Sequence, residues 1–221
     1  MRVSPAMDEE CGEHSLEELI GIIADENRVS TAQRALAFRV LSERYPKMEP
    51  GFMTYCGREE VAHVQEVPSD IYAEIVKSLP IPCVDAFVYN FEKKSYLMLL
   101  RTNAPLNGEW WFPGGRIFKG ESLYEAAARK TKRESGLSIC PIAQLGTYST
   151  YFNESAWGNG VHTDTKNTVI LALSDDQDPI VDNAHGEFKW VPISEVPNDP
   201  YLLGAYKEAL AQLAQMGFTN H

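Results

Sequence analysis

The chain is 221 residues long, and 31 Asp and Glu against 20 Lys and Arg leave a formal charge of −11 with the histidines neutral. With 44% hydrophobic and 23% charged residues, the composition is that of a globular chain of one or two domains with a sizeable core, which excludes disorder along its whole length. The acidic balance repels phosphate backbones at long range, so a broad nucleic-acid face is excluded, and a nucleotide-like ligand has to be met by a local cluster of Arg, Lys, backbone N–H groups or metal.

Cys11, Cys56, Cys83 and Cys140 are widely spaced with no C-x-x-C pair, which argues for neither a zinc site nor a disulfide framework and makes a reducing compartment the default. The N-terminal stretch is acidic where a signal peptide needs a basic region, and no apolar run approaches the ~18 residues of a membrane span. The expectation is a soluble, cytoplasmic protein without a membrane or nucleic-acid partner.

Taken in chain order, Leu16, Leu19, Ile20 and Ile23 fall at helical spacing behind an S-x-x-E capping box of Ser15 and Glu18. Ser30 and Gln33 repeat the device ahead of a second helix with Ala37, Val40, Leu41 and Tyr45 on one stripe, ended by Pro46. The pair predicts an N-terminal helical hairpin with apolar stripes that need burial. Residues 47–65 mix Pro, Gly and charges without a period and read as a linker, dividing the chain into an N-terminal part, 1–65, and a main domain, 66–221.

The main domain opens with a short helix, SDIYAEIVKSL, and two strands, PCVDAFVYN and YLMLLR, around a polar turn. A Gly-rich loop and a helix follow, then strands in AQLGTYSTYF, NTVILALS and EFKWVPI. The last helix has Asp199 as N-cap, Pro200 at its first position and Leu203, Tyr206, Leu210 and Leu213 on one face. Strands with few but long helices predict an α/β fold, a mixed sheet covered by helices.

The informative segment is WWFPGGRIFKGESLYEAAARKTKRESGL, residues 110–137. Ser122 and Glu125 form a third capping box, and Gly136 is a natural residue just beyond a helix end, so a helix is predicted over Leu123–Ser135. Leu123, Ala126, Ala127, Lys130 and Glu134 share one side of it. A carboxylate on the apolar side requires a partner. Lys130, one turn earlier, supplies one as an i,i+4 pair, and a bound metal is the alternative. Pro113-Gly114-Gly115 lets bare backbone approach whatever occupies the site, and Gly115 could offer its carbonyl to a hard cation.

This segment resembles the Nudix box, G-x5-E-x7-R-E-U-x-E-E-x-G-U with U aliphatic, at Gly115, Glu121, Arg129, Glu134, Gly136 and Leu137. Lys130 and Arg133 stand where the box has Glu, and Thr131 where it has an aliphatic residue. With RTNAPLNGEWWFPGGR before it, the segment is similar to the GDP-mannose mannosyl hydrolase branch, whose box lacks the same two glutamates. The resemblance runs from about Ser69 to the final helix and leaves the hairpin aside. It implies a Nudix α/β/α sandwich with a mixed sheet, here carrying a small N-terminal helical extension.

It further implies Mg²⁺, with Mn²⁺ as a substitute, held by Glu134 and the Gly115 carbonyl. His185 falls at the general base, Asp85 at an acidic site residue on the first strand, and Arg101 and Arg116 at arginines that meet the diphosphate. Ala184 stands where that branch has a metal-ligating Gln. The activity implied is hydrolysis of a GDP-sugar, GDP-mannose first, at the anomeric carbon to GDP and free sugar, by a chain that could form a homodimer. Two other readings stay open. One is a Nudix pyrophosphohydrolase with carboxylates relocated to Glu154, Asp175, Asp176 or Glu187. The other is a degenerate Nudix module that binds a nucleotide ligand and regulates a partner. By themselves, His162 and Asp164 read as a solvated loop, Tyr148, Tyr151 and Phe152 as core or site wall, and Glu121 as a helix cap or a partner of Arg129.

Overall fold

The computed structural model describes residues 14–25, 27–44, 67–153, 162–175 and 178–218. The linker predicted over 47–65, with Tyr45, Pro46, Cys11, Cys56, Glu154 and Asp176, lies outside them.

The two N-terminal helices are α1 (Leu16–Ala24) and α2 (Thr31–Arg44). Both predicted caps form. Ser15 Oγ accepts from Glu18 N at 3.2 Å while Ser15 N donates to the Glu18 carboxylate at 2.7 Å. Ser30 and Gln33 make the same reciprocal pair. On α2 the buried face is wider than predicted, taking in Leu36 and Phe38 besides Ala37 and Leu41. Phe38 turns onto Phe91 of the main domain, ring centroids 5.5 Å apart, so the helix is buried from two sides.

Helix α3 (Ser69–Ser78) leads into strands β1 (Ile81–Asn90) and β2 (Ser95–Arg101). The segment predicted as a Gly-rich loop contains two very short strands, β3 (Trp110–Trp111) and β4 (Gly114–Arg116), before helix α4 (Leu123–Ser135). Strands β5 (Cys140–Phe152), β6 (Thr163–Ser174) and β7 (His185–Pro192) and helix α5 (Pro200–Gln215) complete the chain. The strands form a mixed sheet: β1 runs parallel to β6 over ten residue pairs, and β6 is antiparallel to β5. β2 pairs antiparallel with β7 and β3.

Alternation along β1 sorts the two faces of this sheet. Phe87 and Tyr89, with Tyr96, Met98 and Leu171, point to a core shared with Leu19, Ile23, Phe38 and Leu41 of the hairpin and with α5. Val84, Ala86 and Val88, with Leu97, Leu99 and Ile170, point to the other, where Tyr124, Ala126 and Ala127 of α4 cover them. The molecule is therefore an α/β/α sandwich, and Leu19, Ile20, Ile23, Ala37 and Leu41 of the hairpin stripes are buried in its first layer. On α5 the predicted face is rotated: Leu202, Ala205, Tyr206, Ala209 and Leu213 are buried, while Leu203 and Leu210 are only partly so. Alanines on the sheet side let the helix approach closely, and leucine positions alone do not reveal that.

Candidate active site

The site opens where the sheet splits. β1 and β2 pair only at Tyr89 with Tyr96 and Asn90 with Ser95, next to their turn. Beyond that, β2 follows β7, while β1 takes β4 as its partner through Cys83–Arg116, Val84–Gly115 and Asp85–Gly114. Ala86 N donates to the Pro113 carbonyl at 2.8 Å and so pins the Pro-Gly-Gly turn. The cleft between the two halves has a volume of about 380 Å³, and Asp85, Arg101, Gly115, Arg116, Glu134 and His185 all line it. All six residues that the resemblance assigns to the site thus reach one cavity, and Lys130, Arg133, Asp182 and Ala184 join them.

Helix α4 spans the predicted residues, capped by Ser122 and Glu125 at one end and by left-handed Gly136 at the other. Its last turn carries Glu134 into the wall at 5% exposure. One Glu134 oxygen meets the Lys130 ammonium at 2.5 Å, and the other accepts from Gly114 N–H at 2.9 Å. Both oxygens are thus engaged by donors, and Ala184 offers no side-chain ligand. Among the described residues no group of three or more His, Cys, Asp or Glu side chains is placed to hold a metal ion. As built, this donor set does not fit a divalent metal centre, because an ammonium stands against the carboxylate that a metal would need.

The strand predicted from Glu187 begins two residues earlier, so His185 is the first residue of β7, and it is buried. Its Nδ1 lies 2.7 Å from Asp182 Oδ1, which also accepts from Ala184 N–H at 3.0 Å. An imidazole held this way at Nδ1 presents Nε2 as its basic nitrogen. That Nε2 is 3.9 Å from Glu134, beyond a direct hydrogen bond, and so remains available to a ligand or a reacting proton.

Asp85 sits on β1, also buried, and its Oδ2 accepts from the Trp111 indole N–H at 3.4 Å and from the Tyr201 hydroxyl. Burial pushes the Asp85 carboxyl up to about 6; the bonds from Tyr201 and Trp111 pull it back, the Glu134 charge adds to the rise and Arg101 opposes it. Trp111 and Tyr201 stack face to face, centroids 5.0 Å apart and planes within 2°. Cys83, also in the wall, has its thiol raised to about 12 mainly by burial, which leaves it protonated and without nucleophilic character.

The arginines are positioned by different means. Arg101 Nε donates to the Pro105 carbonyl at 2.9 Å, fastening it to the loop after β2. The Arg116 guanidinium lies over Tyr72, 4.4 Å from the ring centroid. Glu121 pairs with Arg129, which also donates to the Arg116 carbonyl at 3.1 Å, so this pair braces β4 from behind. Phe152 lines the cleft edge-on to Trp111, whereas Tyr151 faces outward beside His162. His162, Asp164, Asp175 and Glu187 do not line this cleft.

Reading the sequence missed Asp182 and Tyr201. A D-x-x-H spacing within NAHGEFKW and its approach was the available signal for the first. Tyr201 carried none, since its link to Asp85 spans 116 residues.

The cleft thus lies in an α/β/α sandwich and combines a Gly-Gly turn, a buried helix carboxylate and the cationic side chains of Arg101, Arg116, Lys130 and Arg133. Residues 79–213 match the NUDIX domain, and the chain belongs to that family. It is 30% identical over 126 residues to the low-salt glycan biosynthesis protein Agl8 of Haloferax volcanii, a match covering 56% of this chain and 78% of Agl8. A putative 8-oxo-dGTP diphosphatase of Bacillus subtilis is 39% identical over 57 residues, 26% of this chain and 36% of the relative. Among solved structures, the MutT protein of Methanosarcina mazei aligns with a TM-score of 0.47 at 24% identity, over 62% of this chain and 96% of that one. Membership makes this protein a Nudix hydrolase for a small nucleotide derivative, in a family that generally uses divalent metals such as Mg²⁺.

Proposed function

We propose that the protein hydrolyses a nucleoside-diphosphate sugar, with GDP-mannose the first substrate to test, by attack of water on the anomeric carbon. The observation that carries this reading is the His185–Asp182 pair, 2.7 Å apart, inside the cleft that also holds Arg101 and Arg116. Hydrolysis at phosphorus draws on carboxylate-held metal ions that clamp the attacking and leaving oxygens, and the described residues supply no such cluster. Attack at carbon needs less. His185 Nε2 takes a proton from water as the water oxygen bonds to the anomeric carbon, and the carbon–oxygen bond to the diphosphate breaks with its electron pair leaving on GDP. Asp182 holds the imidazole orientation and balances the charge it gains, while Arg101 and Arg116 meet the charge developing on the diphosphate. The glycan-biosynthesis name of the Haloferax relative supports a sugar-bearing nucleotide.

Incubation with GDP-mannose in ¹⁸O-labelled water, with and without Mg²⁺, tests the reading. GDP and singly labelled free mannose are expected, and His185→Ala should lower kcat by ~10²–10⁴-fold while GDP binding persists. Products of GMP and mannose 1-phosphate would mean attack at phosphorus. Full turnover by His185→Ala would remove the base from the mechanism, and saturable GDP binding without turnover would leave a nucleotide-binding module.

A further inference from the structure

In a chain of net charge −11, one cleft gathers four cationic side chains, Arg101, Arg116, Lys130 and Arg133. The carboxylates beside them already have donors: Asp85 has Trp111 and Tyr201, Asp182 has His185 and the Ala184 N–H, and Glu134 has Lys130 and the Gly114 N–H. Against these three carboxylates the four cations leave the cleft lining a formal excess of one positive charge, opposite in sign to the chain as a whole and suited to an anion.

Lys130 is seated for that purpose. Its side chain is 17% exposed and crosses Gly115, where an added Cβ would stand 2.9 Å from Lys130 Cε and 3.1 Å from its Nζ. The bare glycine, at a φ of +139°, therefore makes room for the lysine stem, and Glu134 anchors the ammonium. An ammonium has three donors; the Glu134 oxygen uses one, and Lys130 lines the cleft. The charge count agrees. Glu134, Lys130 and Arg133 together carry one net positive charge, the same as a helix with glutamates at those three positions and two divalent ions.

We propose that Lys130 and Arg133 are a built-in replacement for the divalent cation. The diphosphate of the ligand binds directly to the Lys130 ammonium and to the guanidinium groups of Arg133, Arg101 and Arg116, and its affinity is independent of divalent metal. This rests on the reading that the ligand is a nucleoside diphosphate derivative, and it names what holds the diphosphate. Arg and Lys side chains can do so through charge-assisted hydrogen bonds to phosphoryl oxygens.

The test is calorimetric titration of the full chain with inorganic pyrophosphate, which has neither base nor sugar, in EDTA and in Mg²⁺ with the magnesium–pyrophosphate equilibrium accounted for. Kd values within about twofold of each other are expected in the two conditions. Lys130→Ala and Lys130→Met, the second retaining the apolar stem against Gly115, should weaken binding in EDTA by ~10–100-fold. Lys130→Glu should bind only when Mg²⁺ is added. Binding by the wild-type chain that appears only with Mg²⁺, undiminished binding by Lys130→Met in EDTA, or no pyrophosphate binding in either condition would each overturn the proposal. Turnover of GDP-mannose is read separately. Its absence alongside metal-independent pyrophosphate binding would sink the catalytic reading and leave this one standing.

Discussion

Asp85 is a buried carboxylate in the wall of the cleft and carries an electrostatic cost. Buried between Trp111, Tyr201 and the backbone of β4, its carboxyl resists ionisation and rises from an ordinary value of 3.8 to about 6. Between those values the folded chain holds a proton that the unfolded chain releases, so this group's contribution to stability is complete below pH ~4 and is lost as the pH rises through ~6. At ~1.4 kcal/mol per pH unit, the loss is on the order of 3 kcal/mol. Asp85→Asn removes the ionisation while its amide oxygen can still accept from Tyr201 and Trp111. Urea unfolding at a series of pH values should show the variant gaining on the wild type by on the order of 2–3 kcal/mol between pH 4 and 7. A difference that stays flat across that window would show that Asp85 ionises as an ordinary carboxylate. At neutral pH the native chain thus keeps a charged Asp85 at the expense of stability, as expected of a residue retained for a ligand.

At the scale of elements, the turn between β3 and α4 depends on Gly114. A Cβ there would fall 1.9 Å from Asp85 Oδ1 and 2.5 Å from the Val84 carbonyl, and the latter is backbone that cannot move aside without opening the β1–β4 ladder. Gly114→Ala should therefore cost ~3 kcal/mol or more and displace the N–H that holds Glu134. Gly21→Ala, where nothing lies within 4 Å, is the control and should gain ~0.5–1 kcal/mol in helix α1. Thermal unfolding of the two variants measures both, and equal melting temperatures would show that the turn tolerates a side chain.

The same segment shows how much of the molecule could be read from its residues. Helix α4 was legible to its end residues because local chemistry sets both ends, a capping box at Ser122 and Glu125 and a left-handed Gly136. The close backbone approach at Pro-Gly-Gly was legible for the same reason. Strand β4 was not, because Gly114-Gly115-Arg116 has no strand propensity of its own and is extended only through pairing with Cys83–Asp85. In the site, the pairing of Lys130 with Glu134 followed from helical spacing. The Trp111–Asp85–Tyr201 cluster joins β3, β1 and α5 and exists only once the sheet and its outer helix have packed.

For the whole molecule, the question is whether the hairpin is an accessory or part of one cooperative unit. Arg34 on α2 bears on this directly. It is 6% exposed, donates from Nε to the Ile23 carbonyl of α1 at 2.6 Å, lies over the Phe91 ring at 5.2 Å and pairs with Glu92 at 3.2 Å. One guanidinium thus ties both hairpin helices to the β1–β2 turn, the point from which the two halves of the sheet diverge to form the cleft. Arg34→Ala removes these contacts together and leaves the Ile23 carbonyl without this donor, so a loss of ~2–4 kcal/mol is expected. Arg34→Met should recover part of it through the packing of its stem. If the hairpin and sheet melt as one unit, far-ultraviolet dichroism and tryptophan fluorescence, to which Trp110, Trp111 and Trp190 of the sheet contribute, will move to lower temperature together. A helical signal that melts early while the fluorescence transition stays at its wild-type temperature would instead separate the hairpin from the sheet it covers.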